Sequence, residues 1–234
     1  KAEQTMTAEE RERFQSQILK MLLTLYLEIF KSGGSTGEGA HLTASVLEGL
    51  AKFGLMANFD LLGDFLEVLR EIIADLITEH SIAAANPANG RTEDFDEDIF
   101  QGVWNGQQLR TLLLCIATAF LLVLSQSQVG KLPVSVDFSK FIDALYGILA
   151  ELSLDCDLEF LHKTLRLVDP LATSDVPHKP SVNVSTKAEL LLRCLDAIFM
   201  RSRSGTLTRA ASFIKRLYIL LLQTPEKTSL AGLR

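Results

Sequence analysis

Cysteine is scarce in this chain of 234 residues: Cys115, Cys156 and Cys194 form an odd, widely spaced set. No two lie close enough in sequence for a metal clamp or a dithiol motif. They fit the reduced, structural thiols of a cytosolic or nuclear protein, with Cys115 and Cys194 serving as small hydrophobes inside apolar helical stretches. Histidine is as sparse. His41, His80, His162 and His178 are scattered, and none stands three or four residues from another histidine or a cysteine, the pairing that would suggest a zinc site. The longest apolar run, Leu112 to Leu124, is interrupted only by Thr118. It falls short of the ~20 residues that cross a bilayer and reads as a core helix. The opening residues, Lys1 to Arg13, are too charged and polar for a signal peptide or a targeting helix.

Catalytic patterns are equally thin. No strand-turn-helix nucleophile elbow is present. The loop Gly33 to Gly39 lacks the lysine and following hydroxyl of a phosphate-binding loop, and it follows a helix rather than a strand. The acidic run Glu93 to Asp98 lacks the glycine and ligand spacing of a calcium loop and reads as a solvated surface loop. The expectation is a protein without enzymatic activity, cofactor, metal or membrane span.

What is present is helix. Hydrophobic residues make up 47% and charged residues 22%. A chain of this length sustains one large domain or two small ones, and a composition this apolar points to surface reserved for a partner. A capping box at Thr7 and Glu10 opens a first helix with apolar positions at Phe14, Ile18, Met21, Leu22, Leu25 and Ile29. A glycine-rich loop, Ser32 to Gly39, ends it. A second helix places Leu42, Val46, Leu50 and Phe53 on one face. Asn58 then caps a third, which aligns Leu62, Phe65, Leu66, Leu69, Ile72, Ile73 and Leu76.

From about 80 to 107 the periodicity collapses into Asn-Gly dipeptides, Pro87 and the acidic run. A loop of that length is either partly disordered or laid on a partner. Helices resume over Gln108 to Leu124, over Phe138 to Leu152 with Asp137 as its cap, and over Leu158 to Val168. A second break, from 169 to about 185, carries Pro170, Pro177 and Pro180. Thr186 and Glu189 form another capping box, and Thr206 starts a last long helix presenting Ala210, Phe213, Leu217, Leu220 and Leu221. Val134 to Val136 and Val182 to Val184 hint at a two-stranded ribbon.

These readings predict an all-α fold: one helical-repeat domain over 1–234, an irregular α-solenoid of antiparallel helix hairpins of the HEAT or armadillo kind, with no repeat of fixed length. Leu47, Leu55, Phe59 and Leu61 fall off the main apolar face of the second and third helices. They are either core or a site where a partner docks, with Phe59 and Leu61 among its anchors.

Charge is unevenly spread. The net −6 resolves into −10 over residues 1–100, −2 over 101–192 and +6 over 193–234. Arg201, Arg203, Arg209, Lys215 and Arg216 make a basic corner suited to RNA phosphates or an acidic partner segment, or else a solvated helical face. Phosphorylation of Ser202 or Ser204 would place negative charge inside that corner.

The run Ser45-Val46-Leu47-Glu48-Gly49-Leu50-Ala51-Lys52-Phe53, continuing through Asn58 to Phe59-Asp60-Leu61-Leu62-Gly63-Asp64-Phe65-Leu66-Glu67-Val68-Leu69, resembles the signature of the nucleolar complex protein 3 family. Leu22 to Lys31, Leu109 to Leu124, Asp137 to Leu152 and Leu190 to Leu222 extend the resemblance, the last with Arg193-Cys194-Leu195-Asp196 and Ser212-Phe213-Ile214-Lys215-Arg216-Leu217. Ala44 stands where the family places proline, and the glycine-rich loop looks like an insertion. The basic, coiled amino-terminal region of the family is absent, and Thr228 to Arg234 reads as a helix cut off, so a piece of a longer protein is expected. The resemblance implies a non-enzymatic nucleolar factor, a helical scaffold in maturation and transport of large ribosomal subunit precursors. Its implied partners are a nucleolar complex protein 2-type protein, other ribosome assembly factors and ribosomal RNA. A helical-repeat transport adaptor is the reading from another class, and the family's proposed link to chromatin and replication initiation is a further alternative.

Overall fold

Leu62, Phe65, Leu66, Leu69, Ile72, Ile73 and Leu76 recur every three or four residues, and all seven are buried along one side of a long helix. The structure, a computed structural model, describes residues 8–33, 40–53, 59–85, 104–128, 137–159, 185–201 and 205–234. Among them every regular element is helical: α1 (Ala8–Gly33), α2 (Ala40–Phe53), α3 (Phe59–Ala85), α4 (Gly106–Gln128), α5 (Ser139–Leu154), α6 (Lys187–Leu195), α7 (Leu207–Gln223) and α8 (Glu226–Leu233). A π-helical turn, Asp196–Arg201, extends α6. Thr7, Asn58, the acidic run, both valine triplets and nearly all of the helix expected over Leu158 to Val168 lie outside the described residues.

The helices gather into two compact units, one from residues 1–79 and 114–138, the other from 80–113 and 139–234, so that α4 contributes to both. In the first unit α1 packs on α2. Glycine at position 49 permits the approach: a Cβ there would stand 2.9 Å from Cζ of Tyr26, too near for any ordinary contact. The helix pair buries Leu23, Leu27 and Phe30 of α1 with Val46, Leu47 and Leu50 of α2. The first-helix positions read from the sequence, Phe14, Ile18, Met21 and Leu25, are instead exposed. Helix α1 carries two apolar stripes on opposite sides, and α2 takes the second. Phe120 stacks on Phe138 at 4.7 Å, and the Arg70 guanidinium donates to the Asp137 carbonyl at 3.0 Å.

Helix α3 runs past His80 to Ala85, beyond the point where its apolar spacing fades. Nothing before Pro87 forbids helix, and alanine favours it. Helix α4 is also longer than its apolar run. Its stretch Gly106–Leu124 has the length and apolarity to cross a membrane, yet 67% of it is buried inside the protein.

The second unit is tied together at the start of α6. Thr186 and Glu189 close the expected capping box, with bonds of 3.1 and 3.3 Å between each side chain and the other's backbone N–H. Three residues around that cap, and Cys194 near the far end of α6, then reach other elements. Arg110 of α4 donates to the Ser185 carbonyl at 2.6 Å, and the Ala188 N–H donates to the Leu158 carbonyl at 3.0 Å. Lys187 forms an ion pair with Asp155, just past the end of α5, and both side chains are nearly buried at 9% and 11% exposure. Cys194 of α6 lies against the Leu113 carbonyl of α4 at 3.9 Å. The last helix borrows its cap: Pro225 supplies no side-chain bond, while Glu159 accepts from both the N–H and the hydroxyl of Thr228.

Two outcomes follow from these environments. Replacing Lys187 with Met leaves the Asp155 carboxylate buried without its counter-charge, and should lower unfolding stability by about 3–5 kcal/mol. The pair Lys187→Met with Asp155→Leu should recover most of that loss in urea titrations. The second outcome concerns the thiols. Burial pushes Cys115 and Cys194 well above the ordinary thiol range, whereas Cys156 is exposed. A disulfide reagent at mildly alkaline pH should titrate Cys156 promptly and the other two only on unfolding. Because both buried thiols stay protonated in the fold, stability should decline as pH rises beyond the ordinary thiol pKa, where the unfolded chain ionises.

Candidate interaction surface

Among the described residues no cluster of three or more histidine, cysteine or acidic side chains is arranged to hold a metal. The features that point outward are apolar and basic, and they converge on α7. Thr206 caps this helix, its hydroxyl accepting from the Arg209 N–H at 3.3 Å. Phe213 and Leu220 are buried and set its inner face. Phe213 meets Tyr146 of α5 at 5.2 Å and Phe199 of the π-helical turn at 5.3 Å, both in inclined ring geometries.

Arg216 locks the same contact. Its guanidinium lies 3.8 Å from the centre of the Tyr146 ring and donates to the Tyr146 carbonyl at 2.6 Å. A half-buried cation over an aromatic face with an added hydrogen bond acts as a packing device. The half-buried Arg216 side chain therefore holds α7 to α5. Arg201 is exposed but already paired, its Nε 2.6 Å from Asp196. Arg209 is half-buried, Lys215 is exposed, and Arg203 lies outside the described residues. Among the described residues of the basic corner, Arg201 and Arg216 thus have partners within the fold, while Lys215 is exposed.

The positions expected to meet a partner on α2 and α3 also separate. Leu47 is completely buried, so its side chain is core, as befits a helix whose off-face leucine still reaches the interior. Leu61 is half-buried. Leu55 and the side chain of Phe59 fall outside the described residues.

A second apolar row on α7 escaped the sequence reading. Leu207, Ile214, Tyr218 and Leu222 are spaced by seven, four and four, and all are exposed. Lys215 sits beside them on the surface, and Leu230 and Leu233 of the adjoining α8 are exposed as well. Two apolar stripes on one helix were the available signal. Only one can face the interior of a surface helix, so the other is left exposed.

Comparison with known proteins matches this same part of the chain. The model of the CBF/Mak21 family covers residues 112–234, the segment that contains α5 to α8. The chain is 49% identical over 224 residues to Nucleolar complex-associated protein 3 of Saccharomyces cerevisiae, covering 96% of this chain and 29% of that protein. It is 33% identical to the protein of the same name from Schizosaccharomyces pombe over 99% of this chain and 27% of the relative. Nucleolar complex protein 3 homolog of Danio rerio is 27% identical over 94% and 20% respectively. The chain spans less than a third of the length of these curated relatives. With more than half of its length matched by the family model, this chain belongs to the CBF/Mak21 family.

Proposed function

We propose that this chain is the helical scaffold portion of a nucleolar factor that assembles precursors of the large ribosomal subunit, working in the nucleolus beside a nucleolar complex protein 2-type partner. Its helix hairpins stack in this reading as an irregular solenoid. Family membership and the names of the relatives support the nucleolar setting. The observation that carries the scaffold role is the exposed apolar row of α7 inside the family-matched segment. A helix held rigidly by Phe213 and Arg216 on one side and bare leucine, isoleucine and tyrosine on the other is built to receive a second helix. Tyr218 is the natural anchor, since a large aromatic ring with a polar tip suits the centre of such a contact. The stretch Leu55 to Leu61 serves as a second contact, and RNA is met through surface cations such as Lys215.

The experiment is capture of the partner and of ribosomal precursors by the full-length protein carrying Tyr218→Asp and Leu222→Asp. Both positions are exposed, so helicity and the unfolding midpoint should stay unchanged while partner capture falls at least ~100-fold, the loss of two central contacts. Undiminished capture with an intact fold would remove α7 from the docking surface. Lys215→Glu should lower association with precursors in a salt-dependent way; an unaltered salt slope would mean that RNA is contacted elsewhere.

A further inference from the structure

We propose that α1 pairs with the α1 of a second copy of this chain, antiparallel, through the face turned away from α2. Phe14, Ile18, Met21 and Leu25 lie on that face, each 50–73% exposed, while Leu23, Leu27 and Phe30 on the opposite side are buried. The exposed four are spaced by four, three and four, the seam that two packed helices share. Four large apolar side chains in such a row are not a scatter of surface residues, and a coiled-coil seam is satisfied only by another helix.

The identity of that helix is written in the ends of the row. Three residues before Phe14 stands Arg11, and three after Leu25 stands Glu28, both exposed. The arrangement reads the same from either end with the charges exchanged. When two copies lie antiparallel about the point between Ile18 and Met21, Phe14 faces Leu25, Ile18 faces Met21, and Arg11 faces Glu28, each pair occurring twice. That is the self-complementarity a two-fold interface requires. The parallel alternative sets Arg11 against Arg11 and Glu28 against Glu28, so charge selects the antiparallel register. The flanking Gln15, Gln17 and Thr24 are uncharged and oppose neither arrangement. Four apolar residues per copy make a contact smaller than a standard obligate interface, so the dimer should be reversible and concentration-dependent.

Sedimentation velocity of the 234-residue chain over a range of concentrations tests this, with circular dichroism as the fold control. The chain should move from monomer to dimer, and Met21→Asp should hold it monomeric without loss of helix. Arg11→Glu alone and Glu28→Arg alone should each weaken dimerisation at least ~10-fold by setting like charges together. Mixing those two variants should restore it, because the carboxylates at both ends of the row in one copy then meet the guanidinium groups at both ends in the other. Restoration on mixing cannot arise from a folding defect. A chain that stays monomeric at every concentration overturns the proposal, and so does a dimer indifferent to these exchanges. In either case the α1 face belongs to a helix from elsewhere.

Discussion

The ion pair between Lys187 and Asp155 is the contact on which the second unit depends, because it fixes where α6 begins relative to the end of α5. An ammonium and a carboxylate held this far from water are tolerable only together, and either one alone is a buried, uncompensated charge. The pair therefore acts as a register mark. Once it is made, Thr186 can cap α6, Ser185 offers its carbonyl to Arg110, and the Ala188 N–H reaches Leu158. Those bonds satisfy the backbone groups that a helix start leaves open and tie three helices to one point.

From that anchor the order passes outward along α6 to α7. The π-helical turn after α6 brings Phe199 to Phe213, and Phe213 with Arg216 closes α7 onto Tyr146. A helix pinned by an aromatic cluster and a guanidinium on its inner face presents its outer face in a fixed orientation. Rigid presentation lowers the entropic cost of docking, which suits a protein whose proposed work is to hold others in place.

The chain uses the same device twice. Helix α1 in the first unit and α7 in the second each bury one apolar stripe and expose another. A helix with apolar residues on two sides is poorly suited to life as a free surface element, but it is what an assembly component needs: one stripe for its own fold, one for a neighbour. This is also where the slightly positive mean hydropathy of +0.21 goes. Among the described residues, exposed apolar side chains gather on these two helices, while Leu47 is turned inward.

Local features were legible in the sequence by themselves. The stripe of α3, the capping box of Thr186 and Glu189, and the Thr206 cap all involve residues within one or two turns of each other, and a helix determines their relative positions whatever surrounds it. The family resemblance was legible for the same reason, since it rests on short runs such as Ser212 to Leu217. Which of two equivalent stripes on α1 would be buried was not, because both satisfy the helical period and only the approach of α2 at Gly49 chooses between them. Nor was the fate of the arginines: Arg216 looks like any surface cation until α5 brings the Tyr146 ring beneath it. The pairing of Lys187 with Asp155 was not legible either, because it forms only where two helix ends meet. Tertiary structure decided these because burial and pairing are properties of neighbours distant in the chain, and the period of a helix says nothing about who those neighbours are.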